Sequence, residues 1–183
     1  MDKKQLRSVI RNLKAQASQQ YMQVQSRRVF EIIEASAPFQ SSRNILLYHS
    51  LPDELPTHDV IDRWKEMKNI YLPRVNGDVL DIVPLGKELS NDNRFNISEP
   101  TGATVNPDII DLIIVPAVAL DVQGHRLGRG KGYYDRLLDT TGAYTIGVAF
   151  DFQLVENVPV EEHDKRLNAV VTASKHQFDI ITV

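Results

Sequence analysis

The run Asp111-Leu112-Ile113-Ile114-Val115 constrains the fold of this chain more than any other stretch. Leu112 to Val115 are apolar without alternation. Successive strand residues face opposite sides of a sheet, so such a strand is buried on both faces, as in the middle of a parallel sheet. The rest of the chain supplies alternating elements. Apolar spacing predicts helices over 2–18, 21–36 (bounded by Pro38), 57–68 (with Thr57 as N-cap) and about 131–138. Strands are predicted over 44–48, 70–72 (ended by Pro73), 79–85, 144–150 and 168–172. Residues 86–107 read as a polar surface excursion. The alternation implies one α/β domain spanning 1–183, a layered Rossmann-like fold with a mostly parallel central sheet flanked by helices.

Composition narrows the chemistry. The chain has no cysteine, which excludes disulfides, thiolate metal sites and thiol nucleophiles. No apolar run approaches the ~20 residues that span a bilayer, and 1–14 lacks a signal-peptide core, so a cytoplasmic protein without a membrane partner is expected. Charge is uneven. Residues 1–28 carry seven basic groups (Lys3, Lys4, Arg7, Arg11, Lys14, Arg27 and Arg28) against one acid, Asp2, although the whole chain is at −3. In the first helix, Leu6, Ile10, Leu13 and Ala17 span about 60° of one face, and Lys3, Arg7, Arg11 and Lys14 about 80° of the adjoining one. The cationic stripe therefore borders the buried one. Its side chains either lean over a cleft holding an anion or form a solvated face. The acidic body, with no aromatics interleaved among the cations, argues against nucleic acid.

The chemistry concentrates after the central strand, where open α/β sheets bind their ligands. Gly128, Gly130 and Gly132 alternate with Arg129 and Lys131, and a helix follows. Glycines permit close backbone approach, while N–H groups at a helix start attract anions. Phosphate is the natural ligand, and a tight turn the plainer alternative. The loop is not a P-loop, since five residues separate Gly124 from Gly130 and Gly132 follows Lys131. Nor does it match the dinucleotide fingerprint, which needs a small residue where Tyr133 stands. Asp135 in the following turn repels phosphate unless a cation intervenes, which points to Mg²⁺, or else serves only the helix dipole. Of Tyr133 and Tyr134, one is expected in the core and the other along a planar ligand.

The run Leu127-Gly128-Arg129-Gly130-Lys131-Gly132-Tyr133-Tyr134-Asp135, preceded by Val115-Pro116 and Asp121, resembles the signature of the 5-formyltetrahydrofolate cyclo-ligases, also called methenyltetrahydrofolate synthetases. Lys3-Lys4-Gln5-Leu6-Arg7 is similar to that family's nucleotide-contacting segment, and Tyr48 to Glu54 to its folate-contacting loop. Tyr71-Leu72-Pro73-Arg74 and Val158-Pro159-Val160, with Glu162-His163-Asp164 behind, resemble further landmarks.

The resemblance implies an ATP- and Mg²⁺-dependent ligase of folate and one-carbon metabolism. ATP would meet Lys3, Lys4, Arg7 and the run from Arg126 and Leu127 to Tyr134. The folate would meet His49, Glu54 and the loop from Arg129 to Tyr133. Asp135 and Asp164 would hold the metal, and Arg129, Lys131 and Asp135 would carry catalysis. A monomer is expected, with a weak homodimer as the alternative. A sugar-phosphate isomerase, a non-catalytic nucleotide sensor and a nucleic-acid module are the rival readings.

Overall fold

The computed structural model describes residues 1–86, 89–90 and 99–180. Among these, seven strands form the main sheet in the order β11-β10-β9-β6-β1-β2-β3. The strand β6 (Leu112–Pro116) lies at its centre, parallel to both neighbours, β1 (Asn44–Leu46) and β9 (Tyr144–Val148). Parallel pairing continues to β2 (Asn69–Asn76) and β10 (Ala169–Val171). Only the outermost strands, β3 (Val79–Pro84) and β11 (His176–Gln177), run antiparallel.

The pleat of β6 divides its side chains between two cores. Leu112 and Ile114 face α2 (Gln19–Glu34) and α4 (His58–Trp64), with Phe30, Ile33 and Trp64 fully buried there. Ile113 and Val115 face α5 (Tyr133–Leu138) through Leu120 and Leu137. A third, smaller cluster joins α1 (Lys3–Gln16), through Leu6 and Ile10, to Ala119, Leu127 and Val158. Only the first two turns of α1 find such a floor. Leu13, expected inward, is exposed instead.

Several boundaries differ from the sequence reading for identifiable reasons. The helix α1 starts after Asp2, which forms a capping box with Gln5, and Ser18 caps α2. Pro38 does not simply end a helix. It opens the short α3 (Ala37–Ser41), capped by Ser36. Thr57 occupies the N-cap position of α4 without capping it. Its hydroxyl donates to the Tyr48 carbonyl at 2.7 Å and accepts from Ser50 N at 3.0 Å.

Pro73 does not end β2, which pairs with β1 only as far as Tyr71 and beyond that with β3 alone. A missing N–H is tolerated where one side of the strand has no partner. Within 86–107, β4 (Leu89–Ser90) and β5 (Glu99–Pro100) pair antiparallel, and the remainder of that excursion lies partly outside the described residues. No helix among the described residues is long and apolar enough to cross a membrane.

The stretch leaving β6, read from sequence as a Gly-rich loop, contains a hairpin. Here β7 (Ala119–Leu120) pairs with β8 (Arg126–Leu127). The hairpin seats α1 and launches the Gly-rich segment from the carboxyl end of β6.

Candidate active site

A cleft of about 700 Å³ opens beyond the carboxyl ends of β1 and β6. Every residue that the sequence analysis assigned to the site lines it. Lys3, Lys4 and Arg7 come from α1, His49 and Glu54 from the segment after β1, and Asp164 from the segment after Val158. The unbroken run Arg126 to Asp135 forms its floor and one wall. Pro73, Val75 and Leu80 of the β2–β3 hairpin add an apolar side that the sequence did not reveal.

The Gly-rich loop is packed by arginines. Arg7 Nε donates to the Gly128 carbonyl at 2.9 Å. Gly130 has φ +95°, and a Cβ there would stand 3.4 Å from Arg7 Nη2. A Cβ at Gly128 would lie 2.5 Å from Arg126 Nη1. Glycine at these positions therefore admits the protein's own guanidinium groups beside the loop, besides leaving its backbone open to a ligand. Arg126 is 5 % exposed, and its Nη2 donates to both oxygens of Asp135 at 3.1 Å. Its guanidinium lies over the Tyr134 ring, and its Nε has no hydrogen-bond partner among the described residues.

Tyr134 is the tyrosine that packs on the core, while Tyr133 donates to the Gly77 carbonyl at 3.4 Å, and both still line the cleft. Burial, and then the Glu54 charge, push the Tyr134 phenol up, so it stays protonated.

Charge pairing fixes the cleft edges. Lys3 Nζ donates to Glu161 at 2.8 Å and to Asp164 Oδ2 at 2.6 Å. Arg129 Nε meets Glu54 Oε1 at 3.2 Å, and its Nη2 meets Asp53. Lys4 and Lys131 form no ion pair with a described residue, and Arg7 meets no described carboxylate. His49 packs edge-on against His58, with ring centroids 4.2 Å apart. Burial, then His58, lower its pKa, so the ring stays neutral near pH 7.

The two carboxylates Asp53 and Asp164 are raised by burial but lowered further by their cationic partners, and both end below the ordinary 3.8. A depressed folded-state pKa contributes stability that disappears as pH falls through it. Thermal stability should therefore decline gently below pH 6.5, as His49 disfavours its proton, and steeply below pH 3.8, as the carboxylates are protonated. Melting temperatures between pH 8 and 3 check this, and a loss of stability on raising the pH through that range would contradict it.

The model of the 5-formyltetrahydrofolate cyclo-ligase family matches residues 1–173. The chain belongs to this family. Among named cyclo-ligases, the Escherichia coli protein is 36% identical over 149 residues, covering 75% of this chain and 82% of its own. The Mus musculus protein is 32% identical over 165 residues, covering 80% and 81%. The solved 5,10-methenyltetrahydrofolate synthetase of Aquifex aeolicus superposes with a TM-score of 0.88 at 30% identity, covering 100% of this chain and 95% of that one. Family membership makes the chain an enzyme of the ligase class in folate metabolism.

Some members of this cyclo-ligase cleft escaped the sequence reading. Lys14 was visible as a stripe residue, but not as a partner of Asp53, whose carbonyl accepts from its Nζ at 2.5 Å. Glu161 and His163 group with Asp164, their ligand atoms all within 4.8 Å of one another. The polar stretch around them was legible, but its approach to Lys3 was not.

Proposed function

We propose that this cleft cyclises 5-formyltetrahydrofolate to 5,10-methenyltetrahydrofolate at the expense of ATP, releasing ADP and phosphate. One observation carries the reading. Lys4, Arg7 and Lys131 converge on the cleft, and none of them is neutralised by a described carboxylate. Three uncompensated cations around a Gly-rich loop suit a triphosphate. The names of the relatives support the folate half of the reaction.

The formyl oxygen is a poor leaving group. In the proposed sequence it attacks the γ-phosphorus and ADP departs. The resulting N5-iminium carries a phosphate ester. The N10 lone pair then attacks the formyl carbon, N10 loses its proton, and the C–O bond breaks to release phosphate. Such catalysis rests on positioning and charge stabilisation. Lys131, Arg129 and the loop N–H groups would hold the phosphates, with Lys3, Lys4 and Arg7 closing over them from α1. Arg126, Leu127 and Tyr134 would line the nucleotide, with Tyr133 shared between the two substrates. Glu54 would take the paired N–H donors of the pterin, and the neutral His49 would pack beside it.

Mg²⁺ is consistent with the carboxylate oxygens of Asp135 and Asp164, which are the hard donors this ion takes and which line the cleft. When bound it would neutralise charge developing on the phosphates. Asp135 pairs with Arg126, and Asp164 with Lys3.

Purified protein given Mg-ATP and 5-formyltetrahydrofolate should form the methenyl product, followed by its absorbance, and ADP in equal amounts. ADP release independent of folate, or no product from a folded sample, would refute the reading.

A further inference from the structure

We propose that Asp53, held by Lys14, is a positioning residue that fixes the folate-contacting turn against the Gly-rich loop. This rests on the reading of the cleft given above. The turn 51–54 closes on itself. Glu54 N donates to the Leu51 carbonyl at 3.0 Å, and Leu51 N donates to Glu54 Oε2 at 2.9 Å. The other oxygen of Glu54 meets Arg129 Nε at 3.2 Å. Asp53, the neighbouring residue, takes Nη2 of the same guanidinium.

Lys14, in the last turn of α1, grips Asp53 from the far side. Its Nζ donates to the Asp53 carbonyl at 2.5 Å and reaches the carboxylate at 3.4 Å. Asp53 and Arg129 are about half exposed, at 48% and 46%, whereas the Lys14 side chain is 18% exposed and that of Glu54 14%.

The arrangement has a consequence for binding. Glu54 must turn its carboxylate from Arg129 to the pterin donors when folate arrives. If Arg129 were held by Glu54 alone, that exchange would free the guanidinium and loosen the turn. With Nη2 held by Asp53, Arg129 stays between the two loops, and Lys14 keeps the Asp53 backbone in place. An isolated exposed ion pair contributes little. Here the pair is one edge of a four-residue network reaching from α1 to the Gly-rich loop. The prediction is selective, since of the groups that would hold the phosphates the network includes only Arg129 and leaves Lys4, Arg7 and Lys131 untouched.

Asp53→Asn keeps the shape and removes the charge. It should raise both the KM for 5-formyltetrahydrofolate and its Kd without ATP, measured by calorimetry, about five- to tenfold, the size of one lost hydrogen bond of ordinary net strength. The KM for ATP should change less than about twofold, within what an exposed pair contributes. Lys14→Gln should reproduce the effect, the double variant should be no worse than the larger single, and Asp53→Glu should recover part of it.

Unchanged folate affinity in Asp53→Asn and Lys14→Gln, equal increases in both KM values, or additive effects in the double variant would overturn the proposal while the wild type still turns over. A wild-type protein that neither binds nor converts 5-formyltetrahydrofolate would overturn the reaction reading, and this inference with it.

Discussion

Asp135→Asn is expected to lower turnover by about a hundredfold or more, because charge stabilisation by a metal in phosphoryl transfer is worth several kcal/mol. The structure adds a second, separable effect. Both Asp135 oxygens accept from Nη2 of Arg126, a guanidinium that is 5 % exposed. Removing the carboxylate charge leaves that cation uncompensated in the cleft wall. Losing one partner of a buried pair costs about 3–5 kcal/mol, and the 17% exposure of Asp135 puts this case at the lower end. The variant should therefore melt earlier and also turn over slowly at every Mg²⁺ concentration. Asp164→Asn should lose less activity, and added Mg²⁺ should restore part of it, since Mg²⁺ keeps water in several positions. Near-normal turnover in Asp135→Asn across a Mg²⁺ titration would leave Asp135 as only the counter-charge of Arg126.

That pair marks the boundary between what the sequence tells and what it does not. The apolar run of β6 and the Gly-rich segment after it were legible because burial on two faces and backbone freedom leave a mark on consecutive residues. The helices α1 and α2 were legible through their spacing, but their termini were not, since Asp2 and Ser18, both placed inside the first helix by the sequence reading, are N-caps. The gathering of Lys3, Glu54 and Asp164 around the Gly-rich segment was legible only through family resemblance.

The pairing within that gathering was not legible at all. Lys3 and Asp164 are 161 residues apart and Arg129 and Glu54 75, and no local pattern states which cation faces which carboxylate. The sequence reading gave these groups to ligands, whereas the structure pairs them with one another. Local misreadings had a different origin. In the sequence Pro38 and Pro73 read as stops because proline lacks a donor, yet one sits in the first turn of α3 and the other on the half of β2 that β1 no longer pairs. The β7–β8 hairpin carried a signal that could have been used, the turn Asp121-Val122-Gln123-Gly124 between apolar residues, with Gly124 at φ +90°.

Asp121→Ala should cost more stability than Asp135→Asn or Asp164→Asn in the cleft. Asp121 is fully buried. One carboxylate oxygen accepts from Gln123 N and His125 N, each at 3.0 Å, which closes the hairpin turn. The other accepts from Val158 N at 2.9 Å and meets His125 Nδ1 at 3.0 Å. Alanine strands three backbone donors and the imidazole. Each buried donor left unpaired costs about 1–3 kcal/mol, so the sum is on the order of 4 kcal/mol even if the turn partly relaxes toward water. For a chain of this size that corresponds to about 10 °C in Tm. Asparagine retains an acceptor for part of the set and should fall between alanine and wild type.

The effect should also reach the cleft, because Leu127 on the hairpin and Val158 beside it form the floor on which Leu6 and Ile10 seat α1. Loosening that floor frees the helix that carries Lys3 and Arg7. At a temperature where Asp121→Asn remains folded, its KM for ATP should therefore rise, and that for 5-formyltetrahydrofolate with it, since Lys14 of the same helix holds the folate turn. A variant that melts like the wild type, or that keeps both KM values, would show that the buried carboxylate does not set the position of α1.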